Sequence, residues 1–328
     1  MEEKRTETRL HALHSLIEFF RSYHFFLDGS WNYTETLITS IENIFKRSKP
    51  QDQALAADLL TVFSLQIDPN EVPIWFERFY HILEPVIRDA TTSRKFRASA
   101  AIALSVLQSL SGYCDFISPL DVMKSFEFVF KSSTSKIDVK TFSGTDVSDL
   151  FVASLKAWTL IYTFLSPFDA GIVGKAVLPT FTFFTPIDLV RLLGELATDS
   201  SKNRSKIDLK KQRHSFREFV EAIVHCDYPE TSINFGVEIL TLSSCTSHFY
   251  YNFLCSVLGS GLRRHLRENP YIRNLFDLGL PLIPNQNGAN RRILKEEKRL
   301  TNAVASKSRT QKLNVHRDKR RGMPSELE

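Results

Sequence analysis

Residues 290–321 hold twelve cationic side chains: Arg291, Arg292, Lys295, Lys298, Arg299, Lys307, Arg309, Lys312, Arg317, Lys319, Arg320 and Arg321. Three acids stand against them, a net of +9. Residues 1–289 carry 30 basic and 32 acidic side chains, and Glu326 and Glu328 bring the whole chain to +5. The positive charge is therefore concentrated at one end. A dense run of cations on a near-neutral body is chemistry for binding a polyanion, nucleic acid foremost. A second cluster, Lys202, Arg204, Lys206, Lys210, Lys211, Arg213 and Arg217, meets the single acid Asp208 and nets +6. It reads equally as a solvated loop between helices and as a second RNA contact.

Bond-making chemistry has no comparable signature. No Gly-x4-Gly-Lys-Ser/Thr loop occurs. Gly259-Ser260-Gly261 has Leu258 where a nucleophile elbow needs glycine, so it reads as a close-packing or helix-breaking point. His225, Cys226, Cys245 and His248 do not have a recognised zinc-ligand spacing. His11, His14 and His24 read as ordinary helix residues, and no carboxylates pair for acid–base work. The expectation is a non-enzymatic chain with no cofactor, no metal and no small-molecule substrate. Cys114, Cys226, Cys245 and Cys255 are scattered, as expected of reduced, mostly buried thiols rather than a disulfide framework. The charged start has no apolar leader, and no run of 18 uncharged apolar residues occurs. The expected compartment is the cytoplasm, with the nucleus second and no membrane partner.

The elements that must position the cations are helical. Twelve Gly and 13 Pro are few for 328 residues, while Phe occurs 26 times. Leu10, Leu13, Ile17 and Phe20 fall on one helical face. Thr34 is placed to cap a second helix, and Pro50 to open a third that ends near Ile67. A fourth runs through Trp75, Phe79, Ile82 and Val86, with Pro85 expected to kink or end it. Residues 54–60 match residues 98–104 at three alanines and a leucine, 44 positions apart. Small residues on one helical side let a neighbour approach closely, and this offset is that of armadillo and HEAT pairs. Residues 150–165, with Ala153, Ala157 and Trp158, occupy a comparable place after a polar stretch, 131–145, that reads as a long loop.

Residues 185–268 continue the helical pattern, with Pro229 and Glu230 suited to start a helix. Residues 250–258 are strongly apolar and should pack into the body. Pro281, Pro284, Asn285, Asn287 and Gly288 read as a linker. The expected architecture is all-α: an armadillo/HEAT-like α-solenoid over 1–284, then a linker and basic C-terminal helical tail over 285–328.

As a helix, residues 291–315 span about 37 Å. Arg291, Lys295, Lys298 and Arg309 share one side, with Arg292 and Arg299 beside them. Ile293, Leu300 and Val304 form a narrow stripe opposite. Three apolar side chains cannot hold such a helix in a core, so it is expected to project and to order on its partner. RNA grooves are met largely through shape and phosphate, which dense Lys and Arg satisfy without base reading. The alternatives are a nuclear-import signal at Arg317, Lys319, Arg320 and Arg321, or a solvated tail.

A resemblance rests on particular strings. Asn252-Phe253-Leu254-Cys255-Ser256-Val257-Leu258-Gly259-Ser260-Gly261, then His265-Leu266 and Asn269, resemble the interferon-related developmental regulator family. So do Ile272-Arg273-Asn274-Leu275-Phe276-Asp277-Leu278-Gly279 and the tail string Glu297-Lys298-Arg299-Leu300, Asn302-Ala303, Lys307, Arg309-Thr310, Lys312 and Arg317-Asp318-Lys319-Arg320. Ser244-Cys245 stands where the family usually has Ser-Trp. The resemblance implies an armadillo-like fold without catalytic activity. It implies two kinds of partner: the ribosome, through rRNA and ribosomal proteins, for members that repress translation, and corepressor proteins for members that co-regulate transcription.

Overall fold

A computed structural model describes residues 6–24, 33–67, 71–112, 117–134, 145–165, 191, 230–236 and 238–279. The chain divides into two units, Met1–Pro281 and Leu282–Glu328, and every described residue belongs to the first. The expected division after residue 284 lies outside the described residues.

Among the described residues the first seven helices are α1 (Thr6–Ser22), α2 (Thr34–Arg47), α3 (Pro50–Ser64), α4 (Val72–Arg88), α5 (Arg94–Ser111), α6 (Pro119–Thr134) and α7 (Thr145–Leu165). The outer helices form around an apolar stripe, whereas α3 is buried nearly all round. In α1 the stripe is Leu13, Ile17 and Phe20, all buried, with Leu10 packed at its edge. Burying one such side chain is worth roughly 1.5–3 kcal/mol, several times the helix propensity of any single residue. The stripe therefore decides the fold.

Those stripes pack in two layers. α1, α3, α5 and α7 lie side by side in one; α4 and α6 adjoin in the other, and α2, α4 and α6 cover the first layer. Phe45 of α2 meets Phe79 of α4 edge-on, the ring centroids 6.1 Å apart. Arg78 of α4 bridges to Glu35 at 2.6 Å and to Glu42 of α2. The alanine-rich strings fall in α3 and α5, which pack on one another, and α7 continues the row. Ala54, Ala56 and Ala57, and Ala100, Ala101 and Ala103, are wholly buried. Trp158 of α7 stacks on Tyr162, centroids 5.1 Å apart, and donates its Nε1–H to Glu127 of α6 at 3.0 Å. The fold is all-α and solenoid-like in these residues, as the repeat predicts.

Details differ from the sequence reading. Thr34 is the first helical residue of α2 rather than its cap; Tyr33 holds the cap position, and its side chain makes no capping bond. Pro50 does open α3, which ends at Ser64, short of Ile67. Pro85 does not end α4. The helix runs on to Arg88 and closes with the Asp89 N–H on the Pro85 carbonyl at 2.9 Å, so a proline this near the end removes a single internal bond. Its buried stripe is Trp75, Phe76, Phe79, Leu83 and Ile87, with Ile82 and Val86 at the margin. The expected loop over 131–145 is shortened by α6, which reaches Thr134, and by α7, which starts at Thr145.

The main correction concerns residues 231–242. Of the expected helix start at Pro229 and Glu230, Pro229 lies outside the described residues, and Glu230 leads into a hairpin of β1 (Thr231–Asn234) and β2 (Ile239–Leu242), antiparallel with Thr231 opposite Leu242 and Asn234 opposite Ile239. Phe235, Ile239 and Leu242 have helical spacing, which hides the strand. The observed period is two: Leu240 and Leu242 are buried, whereas Ile239 and Thr241 face out. After it come α8 (Cys245–Leu258), a 3-10 turn (Gly259–Gly261), α9 (Leu262–Glu268) and α10 (Pro270–Leu275). Ser244 and Ser247 form a reciprocal capping box at the start of α8, with both N–H to Oγ distances 3.1 Å.

Replacing Ala101 with Leu forces extra volume into a filled seam. The expected cost is about 1–3 kcal/mol, read as a lower denaturant midpoint at unchanged slope.

Candidate partner-binding cleft and the strap that borders it

α8, the glycine turn, α9 and α10 form a strap that meets the C-terminal ends of α1, α3, α5 and α7. An α-helix leaves its last four carbonyls without intrahelical partners, and burying them unsatisfied is costly. The strap supplies partners. His265 of α9, wholly buried, places Nε2 3.2 Å from the carbonyls of both Phe20 and Arg21 in the last turn of α1. Gln66 adds its Nε2–H to the Phe20 carbonyl at 3.0 Å. Asn269 donates Nδ2–H to the Leu65 carbonyl just beyond α3, at 2.8 Å. Its Oδ1 accepts the Tyr271 and Ile272 N–H groups at 3.0 and 3.2 Å and so caps α10. Tyr271 donates its hydroxyl to Ser109 Oγ near the end of α5 at 3.2 Å. Tyr250 of α8 lies over Phe164 near the end of α7, ring centroids 5.5 Å apart. In return Arg21 donates Nε–H to the Val257 carbonyl of α8 at 2.9 Å.

These bonds fix protonation states. The Asn269 amide, whose Oδ1 already accepts backbone N–H groups, turns its NH2 toward His265 Nδ1 at 3.4 Å, so Nδ1 accepts and Nε2 carries the proton. The imidazole is thus neutral, and burial, then the neighbouring His24, push its pKa down to about 4. His24, just beyond α1 rather than within it, is likewise lowered to about 4 by burial, opposed by its hydrogen bond to Gln66. The two rings sit 5.7 Å apart. Burial also raises the phenols of Tyr271 and Tyr250, the latter to about 12.

Arg273 of α10 is 1% exposed, yet each of its five N–H donors has an acceptor. Nη1 and Nη2 reach both oxygens of Glu238 in the hairpin turn at 2.9 and 2.8 Å. The remaining bonds go to the carbonyls of Leu266, Leu278 and Gly279 at 3.0, 2.8 and 2.9 Å. A buried charge survives only with such a complete shell. The two glycines of the turn have separate reasons. Gly259 closes α8 at φ 55°, and Gly261 presses on α1, where an added Cβ would stand 1.7 Å from the Arg21 carbonyl oxygen. The reading of Gly259-Ser260-Gly261 as a close-packing and helix-breaking point matches both.

The strap borders a cleft of roughly 340 Å³ along the first layer. Its polar lining includes Arg21, Asp58, Ser99, Asp149, Lys156 and Ser256, on a floor that includes Val62, Ile102 and Val152. Burial raises the Asp58 carboxyl above its usual range; the Ser99 hydrogen bond and Arg21, Lys95 and His14 pull the other way. Two carboxylates and two cations over an apolar floor suit a polar peptide segment.

The sequence-predicted cations of the tail (Arg291, Arg292, Lys295, Lys298, Arg299, Lys307, Arg309, Lys312, Arg317, Lys319, Arg320 and Arg321) lie outside the described residues. So do those of the second patch (Lys202, Arg204, Lys206, Lys210, Lys211, Arg213 and Arg217) and, of the weighed histidine–cysteine group, His225 and Cys226. His248 contacts the Ser244 carbonyl and Thr231 Oγ1 at 2.9 and 3.3 Å. Cys255 is a half-buried free thiol. The sequence reading missed the cleft and the roles of His265, Asn269 and Arg273, although all three stand in the strings that carry the resemblance.

Two family profiles match the chain. The one described as interferon-related developmental regulator covers residues 1–182 and 181–224, and the one described as interferon-related protein conserved region covers 269–321. Interferon-related developmental regulator 1 of Mus musculus is 30% identical over 97% of this chain and 78% of its own length. The protein of the same name from Homo sapiens is 29% identical over the same shares. Interferon-related developmental regulator 2 of Mus musculus is 28% identical over 87% of this chain and 73% of its own length. These relatives are named as regulators, not enzymes.

Gly261→Ala should lower stability by about 3 kcal/mol or more, because the clash is with backbone that cannot swing away. Chemical denaturation of the variant beside wild type reads it. Stability should also depend on acid. Both histidines bind protons more weakly folded than unfolded, so their contribution is whole above pH 6.5 and is lost as pH falls toward about 4. Unfolding midpoints across that window should drop, and the drop should shrink in His24→Gln.

Proposed function

Because the chain belongs to the interferon-related developmental regulator family, we propose that it is a ribosome-binding repressor of translation. The helical body docks on ribosomal protein or rRNA, and the basic C-terminal segment enters an rRNA-lined channel. The observation that carries this reading is the charge split: +9 within residues 290–321 on a 1–289 body of −2. Such a segment gains affinity from counterion release at each phosphate it neutralises, which offsets the entropy of ordering it. The expected compartment is the cytoplasm.

A second reading has one observation in its favour. The cleft between α1, α3, α5, α7 and the strap combines Asp58 and Asp149 with Arg21 and Lys156, chemistry that matches a protein segment. In this reading the chain is a nuclear transcriptional co-regulator, the cleft takes a corepressor subunit, and the tail serves nuclear import.

Sucrose-gradient sedimentation of cell extracts separates the two. Deleting residues 290–328 should release the protein from ribosomal fractions, and unchanged co-sedimentation at moderate salt would sink the role given to the tail. The rival expects no ribosomal association at all. It expects nuclear accumulation that disappears when Arg317, Lys319, Arg320 and Arg321 become Ala.

A further inference from the structure

Beside the strap's contact with α1 lies a surface of aromatic rings and arginines. Phe19 and Tyr23, one turn apart at the end of α1, are each 44% exposed, with ring centroids 5.7 Å apart. Arg264 of α9 lays its guanidinium over the Tyr23 ring at 4.5 Å. Arg263 and Arg267, four residues apart on the same short helix, are exposed. Arg263 lies near a further half-buried ring, Tyr251, and the stem of Arg267 crosses Gly236 in the hairpin turn. Among the described residues, Glu268 lies 3.8 Å from Arg264, Glu18 pairs with Arg21 at 3.0 Å, and Glu238 of the hairpin turn is held by Arg273 at 2.8 Å. Three arginines thus meet one acid of their own helix, on a body whose overall charge is slightly negative.

We propose that this face, Phe19, Tyr23, Arg263, Arg264 and Arg267, is a second binding surface for single-stranded RNA. The proposal rests on the reading of RNA as the chain's partner and places a contact on the folded body, apart from the tail. Single strands are held by rings on which bases stack, combined with cations that follow the backbone. Phe19 and Tyr23 each keep 44% of their surface exposed, and Arg264 already stacks on Tyr23, so an incoming base would extend a ring–guanidinium stack whose arginines also fork onto phosphate. An acidic peptide would use the arginines and have no need of the rings, which favours RNA. The base of α9 is rigid: His265 and Leu266 on its other side are wholly buried, so the arginines project from a fixed frame.

The test uses the full chain and a fluorescein-labelled polyuridine of about 12 nucleotides, within the usual site size. Changing Arg263, Arg264 and Arg267 together to Ala should weaken binding roughly ten-fold. It should also make the dependence of log K on log salt shallower by about 2, three phosphate contacts at about 0.7 each. Tyr23→Leu should weaken binding about five-fold or more with the salt slope kept, as a lost stack does. Independently of any variant, photocrosslinking of 4-thiouridine RNA to wild type should label the peptide holding Phe19 and Tyr23. Wild-type affinity and slope in the triple variant overturn the proposal, as does absence of that crosslink, or competition by polyglutamate as effective as by RNA. A variant with the twelve tail cations changed to Ala distinguishes the two ideas. If it loses RNA and the triple variant does not, the face is refuted and the tail reading stands; if the triple variant loses RNA and the tail variant does not, the face stands and the tail reading falls.

Discussion

The imidazole of His265 donates its Nε2–H to the carbonyls of Phe20 and Arg21, and the position of the strap follows from that bond and its neighbours. A layer of helices packed side by side solves the burial of apolar faces, but its helix ends still carry carbonyls that need donors. Here Phe20 and Leu65 are themselves buried, so their carbonyls depend on donors from the protein. Gln66 and Asn269 act in the same way at α1 and α3. The geometry then propagates: seating His265 requires α9 against α1, that approach requires Gly261, and α10 must begin where Asn269 can cap it.

Elsewhere the same requirement is met from within the two layers. Arg97 of α5, 5% exposed, sends Nε and Nη2 to the Ile87 carbonyl at the end of α4, at 3.0 and 2.8 Å. Burial lowers its pKa, and Asp89 opposes the change. Gln53 of α3 donates to the Phe45 carbonyl of α2 at 2.8 Å. A cation suits such a place because the C-terminal end of a helix is its negative pole. The strap uses neutral donors at α1 and α3 and keeps its arginines on α9 for the outside. That division leaves one side of α9 structural and the other available.

What could be read from the residues alone was whatever has a local period. The alanine-rich strings gave away the packing of α3 and α5 because small side chains at fixed spacing have few other uses, and Pro50 marked the start of its helix. The hairpin stayed hidden because Phe235, Ile239 and Leu242 mimic a helical face while the pairing that defines the strands lies across a turn. Nothing periodic ties His265 to Phe20 or Asn269 to Leu65, which are separated by more than 200 residues. The cleft depends on those pairings and was equally invisible. Yet the strings that carried the family resemblance between residues 252 and 279 are the strap itself, so the resemblance pointed at a device whose physics it did not reveal. The tail cations were legible as charge, which needs no geometry to be counted.

The bond between residues 20 and 265 also sets an order in time. Helix pairs in a solenoid contact mainly their neighbours, so α1 to α7 can condense one after another as they emerge during synthesis. Closing a loop of nearly 250 residues is slow relative to such local steps, and the strap does not exist until the chain has been made past residue 275. Until then the carbonyls of Phe20 and Leu65 lack the donors that His265 and Asn269 bring, and a chain truncated before α8 would never gain them.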